Sequence, residues 1–115
     1  MEKIIAATFD IADQKCKMYN ALEWHNFIAD TREQAQQGCL EDDAAASLPL
    51  DELFDYVYGD EFWWEANEWS QKLVYAVAFD LCSETFVVCN SDAECEMYWE
   101  VAQAAGQEEE IFWAE

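Results

Sequence analysis

Residues 41 to 115 carry twenty acidic side chains against a single base, Lys72, and any fold open to this chain must leave those carboxylates in water. Residues 1 to 40 are electrically ordinary, with six acids (Glu2, Asp10, Asp13, Glu23, Asp30, Glu33) against four bases (Lys3, Lys15, Lys17, Arg32). The constraint is sharpest in DEFWWEANEW, residues 60 to 69, where Asp60, Glu61, Glu65 and Glu68 alternate with Phe62, Trp63, Trp64 and Trp69. Any element formed there has to sort rings from charges.

The rest of the composition says that the chain folds. At 115 residues, 53% hydrophobic and 16% aromatic, it has the apolar surface for one packed core, and residues 1 to 115 read as a single acidic domain. A disordered acidic tail would lack the six Trp, five Tyr and seven Phe, and a salt-adapted surface has no need of them. The opening MEKIIAATFD reaches Asp10 before a signal-peptide core or membrane span is complete, so we expect a cytoplasmic protein with no membrane partner. Five cysteines (Cys16, Cys39, Cys82, Cys89, Cys95), odd in number and without a CxxC pair, spell neither a disulfide framework nor a zinc ribbon and read as small buried hydrophobes.

Periodicity predicts α+β, with a small antiparallel sheet of about three or four strands packed on three or four helices. KIIAATFDI sets Ile5, Ala7, Phe9 and Ile11 on one face, and ADQK turns the chain into a second short strand ending near Tyr19. Asn20 caps a helix that carries Leu22, His25, Ile28, Ala29 and Arg32 at helical spacing and stops at Gly38, which places His25 on its buried face. CLEDDAAAS reads as a connection or one loose turn. Ser47 with Pro49 marks the start of a helix ending at Gly59, burying Leu50, Leu53, Phe54 and Val57 and turning Asp51, Glu52 and Asp55 outward. KLVYAVAFDL favours a strand, since a helical phase would bury Asp80, and ETFVVC is its antiparallel neighbour. Ser91 with Glu94 forms a capping box for a helix closed by Gly106, with Cys95, Tyr98, Ala102 and Ala105 inward and Asp92, Glu96 and Glu100 outward.

DEFWWEANEW partitions best as a helix, with Phe62, Ala66 and Trp69 in the core and Trp64 outward among Asp60, Glu61, Glu65 and Glu68. The alternatives are a shifted helix that buries all four rings, or an extended segment in which Trp63, Glu65, Asn67 and Trp69 share a face, a worse separation of rings from charges.

No catalytic constellation emerges. With 26 acids, chance carboxylate pairs carry no specificity; His25 is the lone histidine; the glycines sit at helix ends rather than in a phosphate loop; EDDAAASLPLDE lacks the glycine and ligand order of an EF-hand. No enzyme activity, metal or cofactor is expected. Five basic residues cannot offset phosphate repulsion, so direct nucleic-acid binding is not expected either.

The reverse relation is attractive. A folded chain of this length spans roughly 35 Å, over which duplex DNA carries about twenty charges, and the net of residues 41 to 115 is of that order. In size, charge and aromatic content the chain resembles the small acidic inhibitors of phages and mobile elements, among them DNA-mimicking anti-restriction and anti-CRISPR proteins. The likeness is one of composition and transfers no residues. It implies a non-enzymatic inhibitor that blocks the DNA- or RNA-binding site of a basic host defence protein, such as a CRISPR effector or restriction enzyme, through Asp51, Asp55, Asp60, Glu61, Trp64, Glu65, Glu68, Asp92, Glu96 and Glu100. An immunity protein capping a toxic nuclease and an acidic adaptor with a partner unrelated to nucleic acid are the alternatives, and a homodimer is compatible with each.

Overall fold

The computed structural model describes residues 3–38, 42–66, 69, 74–107 and 110–114. The first strand is β1 (Ala6–Asp10). The Asp10 carboxylate accepts a hydrogen bond from the Ala12 amide at 2.9 Å, Gln14 takes a left-handed conformation (φ 52°), and the chain returns as β2 (Lys15–Tyr19) in register Ala6↔Tyr19 to Asp10↔Lys15. Asn20 then starts α1 (Ala21–Gln37) with a full capping box, its side chain accepting from the Glu23 amide while the Glu23 carboxylate takes the Asn20 amide. Three elements follow: α2 (Asp42–Ser47), α3 (Leu50–Tyr58) and β3 (Phe62–Ala66), which pairs antiparallel with β1 from Asp10↔Phe62 to Ala6↔Ala66.

Seventy residues after β1 the same construction begins again. β4 (Ala76–Asp80) turns into β5 (Thr85–Cys89) through Asp80, whose carboxylate accepts from the Cys82 amide at 2.9 Å, and through a left-handed Glu84 (φ 55°). Their register, Ala76↔Cys89 to Asp80↔Thr85, is that of β1 and β2 with 70 added to every number. Helix α4 (Asp92–Ala104) follows, and β6 (Ile111–Trp113) pairs with β4 on the side opposite β5, as β3 does with β1. Even the bonds flanking the strands recur: the Ile11 amide donates to Glu61 O at 3.0 Å, the Leu81 amide to Glu110 O at 2.8 Å. The chain is thus two ββαβ units, the first with α2 and α3 inserted. Its trace in the sequence is faint, AATFD at 6–10 against AVAFD at 76–80.

The two sheets, β2-β1-β3 and β5-β4-β6, pack face to face. Phe9 and Phe79, equivalent in the two units, stack at 4.4 Å between centroids and 11° between planes, and each touches the other unit's third strand, Phe9 on Phe112 at 5.3 Å and Phe79 on Trp63 at 5.8 Å. Such reciprocity marks a two-fold-like, self-complementary contact. Helices cover the outside, so the layers run helix, sheet, sheet, helix. On the first sheet's outer face, Ala6, Tyr19, Phe62 and Trp64 pack against Trp24, Phe27, Phe54 and Tyr58 of α1 and α3. A satellite of Ala35, Ala45 and Leu53 joins α1, α2 and α3, and Arg32 donates to Ala45 O at 2.7 Å and Leu48 O at 3.0 Å, spending one of the few cations on helix-end carbonyls.

The α+β class holds, as do the two hairpins and the helices starting at Asn20 and Ser91. Several expectations do not. Residues 62–66 are strand, not helix: both faces of β3 are covered, Phe62 and Trp64 by helices and Trp63 by the second sheet, so rings suit both sides and the separation demanded of a half-wet element does not apply. Residues 42–47 are a six-residue helix, more regular than the connection or one loose turn expected, and the Ser47 hydroxyl donates back to Asp43 O at 2.8 Å instead of capping α3. Helix α1 is rolled so that Trp24, Thr31 and Ala35 face inward, leaving His25 and Leu22 exposed, because the large indole packs on Tyr19. On α4 only Ala102 is fully buried; Tyr98 and Ala105 are exposed, and the Glu94 carboxylate takes the Asn90 amide rather than that of Ser91, while the Ser91 hydroxyl accepts from the Glu94 amide. Cys16 and Cys89 are buried as expected, with burial pushing each thiol up to about 12, whereas Cys82 is exposed, Cys95 half-buried, and Cys39 outside the described residues.

Phe79→Ala, which removes a fully enclosed ring from the sheet-to-sheet contact, is expected to cost about 3–5 kcal/mol in urea unfolding, a large fraction of the stability of an ordinary domain.

Candidate functional site: an acid-rimmed aromatic cleft

Helix α3 carries Asp51, Glu52 and Asp55 on its exposed side. Asp51 and Glu52 lie in its first turn, where the free amides of the helix favour negative charge. At its other end Gly59 adopts φ 82°, a left-handed conformation that side chains disfavour, and its amide donates to Asp55 O at 2.9 Å. That reversal brings Asp60 back beside Asp55 and leads into β3. The result is an open cleft of about 530 Å³ whose rim is Asp51, Glu52, Asp55 and Asp60 and whose floor is Phe54, Phe62 and Trp64, with Trp63 also at its lining although its ring packs on the second sheet.

The rim is electrostatically loaded. The hydrogen bond that the protonated Asp55 carboxyl donates to Asp60, then the Asp60 charge, raise the Asp55 carboxyl above its ordinary range, because two carboxylates this close resist ionising together. Among the described residues no group of three or more His, Cys, Asp or Glu is disposed to hold a metal ion. What the rim suits is distributed positive charge, as on Lys and Arg side chains approaching from outside.

Trp64 does not stand outward among carboxylates. Its ring stacks near Trp24 (5.9 Å, 28°) and meets Phe54 edge-on (5.4 Å, 75°), half-buried, with the remainder forming the cleft floor. It is both core and surface. The cleft unites Asp51, Asp55, Asp60 and Trp64 of the expected set, with exposed Glu61 next in sequence. Glu65 is half-buried and shares a second opening with Glu84, Thr85 and Phe86 of the other sheet. Asp92, Glu96 and Glu100 are exposed along α4, on the opposite outer layer from α3, so the set does not form one surface. Glu68 lies outside the described residues. Missing from the expected set were Glu52 and Trp63; the helical spacing of Glu52 and Asp55 pointed to the first, whereas Trp63 reaches the lining only through the strand pairing of β3.

The body carrying these groups measures 49 × 28 × 19 Å with a radius of gyration of 15.5 Å, longer than the roughly 35 Å expected from chain length, since four layers replace the usual two. Comparison with protein-family models, curated proteins and solved structures gives no match to the chain.

Two outcomes are expected. Asp60→Asn returns the Asp55 midpoint, followed by NMR titration, toward the ordinary carboxylate range. Because a raised carboxyl pKa contributes stability only below the ordinary range and loses it as pH rises through the raised midpoint, the variant melts higher than the parent at pH 7 and no higher at pH 3. Trp64→Ala costs about 2–3 kcal/mol, short of a fully enclosed ring, and a melting temperature unchanged from the parent would show that the indole is not part of the core.

Proposed function

We propose that the protein is a non-enzymatic acidic inhibitor that occupies the DNA- or RNA-binding groove of a basic host protein, of the anti-restriction or anti-CRISPR kind, in the cytoplasm of a bacterial host. The observation that carries this reading is the display of charge. Carboxylates stand exposed on both outer helical layers of a 49 Å body, while most of the aromatic side chains are gathered between the layers, with Tyr56, Tyr75, Tyr98 and Trp99 exposed. Duplex DNA of that length carries about 29 charges, against a formal −21 here. Helical spacing sets the α4 carboxylates roughly 5–6 Å apart, within reach of Lys and Arg arranged for phosphates. No described helix is long and apolar enough to cross a membrane.

One observation favours a second reading, an immunity protein that caps a basic nuclease. A ring of acids around an aromatic floor is the make-up of a single binding hot spot, with charge to speed capture.

The two readings separate on a partner recovered from host lysate. Under mimicry, neutralising the cleft (Asp51→Asn, Asp55→Asn, Asp60→Asn) and neutralising α4 (Asp92→Asn, Glu96→Gln, Glu100→Gln) each weaken binding, binding competes with nucleic acid, and affinity falls at least about tenfold between 50 and 200 mM salt. Single-site capture responds to the cleft variant alone. A partner that holds the protein and its nucleic acid together would overturn mimicry.

A further inference from the structure

The duplicated architecture exposes a site that only one half of the molecule fills. Helices α1 and α4 start one residue after their caps, Asn20 and Ser91, so Phe27, Asp30 and Thr31 correspond to Tyr98, Val101 and Ala102; the strand registers match Phe62 and Trp64 to Ile111 and Trp113. In the first unit Tyr58 of α3 stacks on Phe62 at 4.5 Å and on Phe27 at 6.0 Å, with its hydroxyl hydrogen-bonded to that of Thr31 at 3.2 Å, and Phe54 packs on Phe62 and Trp64. In the second unit the counterparts of these partners, Ile111, Tyr98, Ala102 and Trp113, line an open cleft of about 210 Å³. The connection from α1 to β3 contains α2 and α3, whereas that from α4 to β6 spans only residues 105–110.

We infer that this cleft between α4 and the second sheet is a docking groove for a basic amphipathic helix of a partner protein, seated as α3 is seated on the first sheet. Side-chain chemistry supports an occupant. At lining positions where the first unit has Thr8, Lys17, Asp30 and Thr31, the second has Ala78, Val87, Val101 and Ala102. Val101 is 62% exposed, and Tyr98 and Met97 on the same side of α4 are also exposed, an apolar group left uncovered on a highly charged chain. Charge selects the kind of helix. Asp80 stands in the cleft wall, Asp92, Glu94, Glu96 and Glu100 line α4, and residues 74–115 contain no Lys or Arg. A second copy, at −21, is repelled; a helix with an apolar stripe flanked by Lys or Arg is attracted. The groove shares with the inhibitor reading the positive charge of the partner and the acids of α4, and it lies on the outer layer opposite the α3 cleft.

The probe is a helical peptide that embeds Leu50–Tyr58 with Asp51→Lys, Glu52→Lys and Asp55→Lys, extended at each end by a turn of alanine and lysine so that it is helical by itself. Titrated into the isotope-labelled full chain, it is expected to shift amide signals at Tyr98, Val101, Ile111 and Trp113, and Val101→Ser, at an exposed position, is expected to weaken binding at least fivefold with an unchanged circular dichroism spectrum. Absence of binding at millimolar peptide, equal affinity for Val101→Ser, or shifts centred on Phe54 and Trp64 would each overturn the docking groove. None of these outcomes bears on competition between the protein and nucleic acid, and the variant neutralised at Asp51, Asp55 and Asp60 is expected to bind the peptide undiminished.

Discussion

The contact between Phe9 and Phe79 is the joint on which the remaining structure depends. Each ring sits on the central strand of its sheet, one residue from the strand's end, and their stacking sets two small three-stranded sheets against each other. Either sheet alone would leave its apolar inner face in water. An offset stack adds about 0.5–1.5 kcal/mol beyond area burial, and Phe112 and Trp63 extend it symmetrically. Because the inner faces are spent on each other, the helices have only the outer faces to cover, and the acids of α3 and α4 end up on opposite sides of the body.

That arrangement reconciles two demands that conflict in the sequence. A net charge of −21 repels itself and opposes compaction, so the interior has to compensate with apolar contact. The chain does so with a continuous aromatic network from Tyr19 and Trp24 through Phe54 and Phe62 on one face of the first sheet, and with the Phe9–Phe79 stack on the other. The charges remain outside, crowded enough at Asp55 and Asp60 that one carboxyl holds its proton unusually well. A surface strained in this way gains from any partner that brings cations to it.

How far the chain can be read without its structure varies by segment, for reasons visible in particular residues. The hairpin at 6–19 is local: alternating Ala7 and Phe9, an Asp10 side chain that closes the turn, and a partner strand within reach. Helix α3 is local too, with Leu53 and Phe54 inward and Asp51, Glu52 and Asp55 outward. DEFWWEANEW is not. Its ring-and-acid pattern favours a helix so long as one side is taken to be wet, and what makes it a strand is β1, more than fifty residues earlier in the chain. The roll of α1 escaped for a related reason, since its inward residue Trp24 is chosen by Tyr19 and Phe54 rather than by the helix's own periodicity.

The amino-acid sequence by itself determined the class of fold, the turns, the caps and the sign of the surface, because each of these is decided by neighbours within a few positions or by composition. Tertiary structure alone decided that the chain is two ββαβ units joined through equivalent phenylalanines, that Trp64 forms the floor of a cleft rather than standing outward, and that the acidic residues divide between two opposite faces. Those outcomes rest on pairings between strands distant in the chain, and a residue's own neighbours carry no record of which face a distant strand will cover.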